Sequence, residues 1–147
     1  MKIRLLLIGA FVFLTANVNA QSKAHKDSLN AIIKTYYDLN IKVFQADSKP
    51  VDVANIFKLF TADFTYVHPK YGGLYTREVL YKGYLRNQKN GGYDGDVTDI
   101  KIVNRIVGLN SVVVARKYVT KKEGEGDSKM TLFEFKKGKI SKIFEYW

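Results

Sequence analysis

The chain has 147 residues, with 24 Lys or Arg against 14 Asp or Glu, a formal charge of +10, 10 Tyr, 9 Phe, 1 Trp and no cysteine. The missing thiols exclude disulfides, a cysteine nucleophile and a lipid carried on cysteine. The bases are spread along the whole chain instead of being gathered in one helix or stripe, which speaks against nucleic acid as a partner and for a solvated basic surface able to touch anionic surfaces peripherally.

The first residues read as a leader. Lys2 and Arg4 precede an apolar run from Leu5 to Leu14, and Val18-Asn19-Ala20 forms a small-residue exit, the pattern of a signal peptide over residues 1–20. A membrane span needs about 20 consecutive apolar residues, and this run is far shorter. The expectation is an exported protein, periplasmic or extracellular after cleavage, with residues 21–147 forming one domain long enough to bury a core.

From Lys26 to Ala46, Leu29, Ile32, Ile33, Tyr36, Leu39, Val43 and Phe44 recur at three- and four-residue steps. This predicts an amphipathic helix capped by Asp27 or Ser28. Pro50 suits a first helical turn, and Val53, Ile56, Phe57 and Phe60 predict a second helix stopping near Thr61. Phe64 to His68 reads as a strand ended by Pro69 and the Tyr71-Gly72-Gly73 turn. Thr76 can cap a third helix carrying Val79, Leu80, Tyr84 and Leu85, which Asn90-Gly91-Gly92 stops. Four β-branched and aromatic runs follow: Val97 to Val107, Ser111 to Thr120, Lys129 to Phe135, and Lys139 to Trp147. Short turn-forming separators make them consecutive antiparallel hairpins, and helices followed by a meander is the α+β order.

The long helix, the short helix ending in Lys58-Leu59-Phe60, the stretch Phe60 to Pro69, the third helix and the closing Gly138-Lys139-Ile140-Ser141-Lys142-Ile143-Phe144-Glu145-Tyr146-Trp147 resemble the nuclear transport factor 2-like superfamily. SnoaL-like and ketosteroid isomerase-like domains are the nearest in look. The resemblance implies a cone-shaped half-barrel, a curved antiparallel sheet wrapped around N-terminal helices, with a mostly apolar pocket at its wide end and a homodimer formed through the outer sheet face. Ketosteroid isomerases use an Asp general base with a Tyr and a protonated Asp as oxyanion donors. His68 stands at the position of the base, just before the proline that follows the first strand, and imidazole can take a proton near neutral pH. Thr131 stands where the second acid would be, and Tyr36 or Tyr37 would be the helical tyrosine. The donor set of those enzymes is therefore incomplete here.

Strand alternation places Tyr66 with His68 on one face, and Ile143, Glu145 and Trp147 on another, which the resemblance turns inward. Glu145 is then either an acid in an apolar cone or the partner of Arg116 or Arg105 across the sheet, and pairing is the commoner arrangement. Arg116 and Tyr118 share a face whose direction periodicity leaves open. The candidate ligand pocket comprises Tyr66, His68, Tyr84, Arg116, Tyr118, Thr131, Phe133, Glu145 and Trp147, with His68 as candidate general base. No metal and no cofactor is expected, since no spacing gathers metal ligands and no glycine-rich phosphate loop is present, and a serine nucleophile lacks its G-x-S-x-G setting. The first functional expectation is a domain binding a small apolar or aromatic molecule. The alternatives are a cofactor-independent isomerase, cyclase or dehydratase using His68, and a dimeric assembly module.

Overall fold

The computed structural model describes residues 22–147, so the leader read over residues 1–20 lies outside them. Helix α1 spans Lys23–Val43 and buries Leu29, Ile33, Tyr36, Tyr37 and Val43. It starts earlier than the apolar pattern suggests, because Ser22 is the cap: its Oγ accepts the backbone N–H of His25 at 3.2 Å. A polar first turn carries no apolar mark, so periodicity alone places the start too late.

Helix α2, Pro50–Phe57, begins on proline as expected. The Asp52 carboxylate fixes it twice, accepting the Lys49 backbone N–H at 2.8 Å and pairing with Lys42 of α1 at 2.7 Å. Phe60 is not helical. It opens strand β1, Phe60–His68, and its ring stacks on that of Phe64 with centroids 3.9 Å apart. The switch comes at Leu59, whose carbonyl accepts the Ile140 N–H at 2.9 Å. Beyond His68 a short 3-10 turn, Pro69–Tyr71, and Gly72 at a φ of 106° reverse the chain into strand β2, Gly73–Thr76. Only glycine adopts such a φ without a steric penalty. Thr76 Oγ1 then caps helix α3, Arg77–Lys89, by accepting the Val79 N–H at 3.3 Å.

The remaining strands are β3 (Val97–Val107), β4 (Ser111–Thr120), the two-residue β5 (Gly124–Glu125), β6 (Lys129–Lys136) and β7 (Lys139–Glu145). The sheet order is β2-β1-β7-β6-β4-β3, with β5 pairing to β4. All pairs are antiparallel except β1 with β7, which run parallel. The last strand ends at Glu145, short of the expected Trp147. The sheet is curved and open, and the architecture is the α+β cone. The helices cover its inner face, where Ile33, Val53, Val112, Val114, Phe133 and Ile143 are fully buried. Among the described residues no helix is long and apolar enough to cross a membrane.

Candidate functional site

Three neighbouring strands build the site. On β4, Val112, Val114 and Arg116 are all buried, which settles the facing that periodicity leaves open: Arg116 points into the core. On β6, Thr131 and Phe133 share the inner face. On β7, Ile143 and Glu145 do. Thr131 pairs in register with both Val114 and Glu145, and Arg116 with Lys129, so the polar residues of the three strands meet at one end of the sheet.

The centre is an ion pair shielded from water. Arg116 Nη2 donates to Glu145 Oε1 at 3.1 Å and Oε2 at 3.2 Å, with the two side chains 2% and 4% exposed. Glu145 Oε2 also accepts Thr131 Oγ1 and Trp147 Nε1, each at 2.7 Å. Of the two arginines open as partners, Arg116 is the one used. Arg105 lies outside and donates to Asn30 Oδ1 at 3.2 Å.

The guanidinium is enclosed by aromatic rings, its carbon lying 5.0 Å from the Tyr118 centroid, 5.7 Å from Trp147 and 5.8 Å from Tyr37. Arg116 Nη2 meets the Tyr118 hydroxyl at 3.3 Å, while Nε and Nη1 face no acceptor in the protein. Cation–π attraction is how such edges are accommodated in a dry site. Burial works against the charge, but Tyr118, Tyr37 and Glu145 outweigh it and hold Arg116 above the ordinary guanidinium range. Burial raises the Tyr37, Tyr66 and Tyr118 hydroxyls further above neutrality, so all three stay uncharged phenols.

His68 is 1% exposed. Its ring meets Tyr71 at 4.4 Å and Trp147 at 4.5 Å, with Tyr66 at 6.1 Å, and neither ring nitrogen finds a side-chain partner. Desolvation lowers its pKa, opposed by Glu145 and reinforced by Lys70 and Arg116. The native imidazole stays neutral while the unfolded one takes a proton as pH falls through about 6.5, so stability is lost on acidification. Thermal melts from about pH 7.5 to about pH 5.5 should show a smaller drop in Tm for His68→Leu than for the parent; equal drops would contradict a buried neutral imidazole.

Tyr84 turns away from this group, donating to Asn40 Oδ1 of α1 at 3.0 Å. Phe133 packs edge-on against Tyr36 and Tyr37. Lys129 and Tyr71 belong to the cluster although the sequence reading does not single them out. Lys129 could have been found by alternation from Thr131, two residues on along the same strand. Its Nζ lies 3.7 Å from the Trp147 centroid and 5.3 Å from that of Tyr118. Beside this corner runs a groove of about 490 Å³ walled by Phe44, Val97, Tyr118, Lys129 and Trp147.

An open curved sheet laid over three helices, with the inner faces of its strands converging on a polar and aromatic cluster at one end, is the nuclear transport factor 2-like fold, and this chain has it. It is similar to an NTF2-like protein from Anabaena variabilis ATCC 29413, with TM-score 0.58 and 14% identity over 86% of this chain and 94% of that one. A protein from Sinorhizobium meliloti assigned as a polyketide cyclase gives TM-score 0.56 and 14% identity over 81% and 98%. One from Kribbella flavida DSM 17836 assigned as a ketosteroid isomerase gives 0.56 and 13% over 83% and 78%. No protein-family model and no curated protein matches the sequence.

Proposed function

We propose that this chain is an exported domain that binds a small aromatic molecule at the mouth of its cone. The observation that carries the reading is the groove beside Trp147, where Phe44, Tyr118 and Trp147 offer ring faces and edges next to a polar cluster. Apolar walls with a few placed polar groups are what small-molecule sites have in common. The activities assigned to the similar proteins, polyketide cyclase and ketosteroid isomerase, also concern ring-bearing compounds.

Geometry favours binding over proton transfer. A general base works within reach of a reacting proton and is usually oriented by a second group. His68 has no such side chain, and the nearby carboxylate, Glu145, is committed to Arg116, Thr131 and Trp147.

Trp147 is the one tryptophan in the sequence, so its emission reports on this corner alone. A titration with small aromatic, steroid-like and fatty compounds should give a saturable change for the aromatic class. Tyr118→Ala should weaken that response about tenfold, since one lost ring face is worth about 1 kcal/mol or more. Emission indifferent to every compound would remove the reading.

A further inference from the structure

We infer that the molecule taken by this groove is an aromatic acid carrying one negative charge, with Lys129 as its direct partner; this rests on the binding reading above. The aromatic cluster, as distinct from the acidic loop residues that border the groove, is cationic. Arg116, Lys129 and Lys70 stand around the Trp147, Tyr118 and Tyr71 rings, and the one carboxylate within the cluster is Glu145. That carboxylate is spent: Oε2 accepts from Thr131, Trp147 and Arg116, and Oε1 accepts from Arg116.

Lys129 and Lys70 are the cations left over, and of the two Lys129 is the one that lines the groove. It is half-buried, and among the described residues it has no ion pair. Its Nζ rests on the Trp147 face while Arg116 approaches the same ring and the Tyr118 ring. Two like charges sharing two rings repel each other, and an acid group placed at Lys129 would offset that repulsion. Desolvation lowers the Lys129 pKa, with Arg116 and Lys70 adding to it and Glu145 and Asp127 opposing it.

The groove also selects how much charge enters. Glu123, exposed in the turn before β5, and Asp127, exposed in the loop before β6, line it, and neither is ion-paired with Lys129. They oppose a dianion such as a phosphate monoester more strongly than a carboxylate. The ring of the ligand would lie against Phe44 and Tyr118, with its carboxylate toward Nζ.

The test uses three probes of one shape, phenylacetate, phenylacetamide and 2-phenylethylamine, followed by the single indole N–H resonance of Trp147. Phenylacetate should bind about tenfold more tightly than the amide, the amine should bind weakest, and the preference should shrink as salt is raised. Lys129→Met and Lys129→Gln should bring the acid and the amide to about equal affinity. Equal affinity for acid and amide, or a preference that survives both variants, overturns the inference while leaving a neutral-ligand site standing. No response to any probe removes the binding reading itself.

Discussion

Replacing Glu145 with alanine should lower the free energy of unfolding by about 3–5 kcal/mol, because it leaves the Arg116 guanidinium charged, dry and without a counterion. Four hydrogen bonds end on that carboxylate, and a domain of ordinary stability has only about 5–15 kcal/mol to lose. Urea unfolding is the measurement, with the midpoint shifting at unchanged slope. Glu145→Gln should cost less, since an amide oxygen still accepts from one of the donors. Removing both charges in Arg116→Met/Glu145→Leu should recover most of the loss, because an apolar pair of similar volume avoids desolvating either ion. Recovery should be incomplete while the fully buried Thr131 hydroxyl has lost its acceptor, and adding Thr131→Val should narrow the gap. A Glu145→Ala variant as stable as the parent would mean that the guanidinium finds water, and the site would then have to be redrawn as solvated.

Phe133→Ala is the second large effect. Phe133 is fully buried on the inner face of β6, with its ring edge-on to Tyr36 at 5.4 Å and to Tyr37 at 5.9 Å. Truncation removes those contacts and leaves a hole between sheet and helix, which together cost about 3–5 kcal/mol. If the walls hold, the hole is apolar and ring-sized, and benzene should raise the Tm of the variant by more than that of the parent. A loss below about 1 kcal/mol would show that α1 collapses onto the sheet to fill the space. Phe133 would then be a filler of the cone and not part of its frame.

The strands from Val97 onward are legible in the sequence because alternation and glycine-containing turns are local signals. Phe60 misleads for the same reason. Its spacing from Val53, Ile56 and Phe57 continues the helical pattern, and what overrides it is a backbone bond from distant Ile140 to Leu59, which no local pattern carries. Strands β2 and β5 are too short to alternate. In the site, the pairing of Glu145 with an arginine is readable from opposite charges on strands of one sheet, here β7 and β4 with β6 between them. The choice of Arg116 over Arg105 needs the register: β3 shifts between Ile102 and Asn104, and beyond that irregularity Arg105 lies on the exposed side. Lys129 goes unnoticed because a lysine at a strand start reads as solvated, and only the partner strand shows that it stands opposite Arg116.

The parallel pairing of β1 with β7 carries a kinetic consequence. Strand β7 lies between β1 and β6, yet Tyr66 and its partner Ile143 are far apart along the chain. Strands β3, β4, β6 and β7 can zip together through neighbouring turns, but β1 and β2 have no place in the sheet until β1 docks on β7. Closing so long a loop before any contact rewards it makes this the slow event. Refolding should therefore be limited by the docking of β1 on β7, with substitutions at the β1–β7 seam slowing it more than equally destabilising ones in the β3–β4 hairpin.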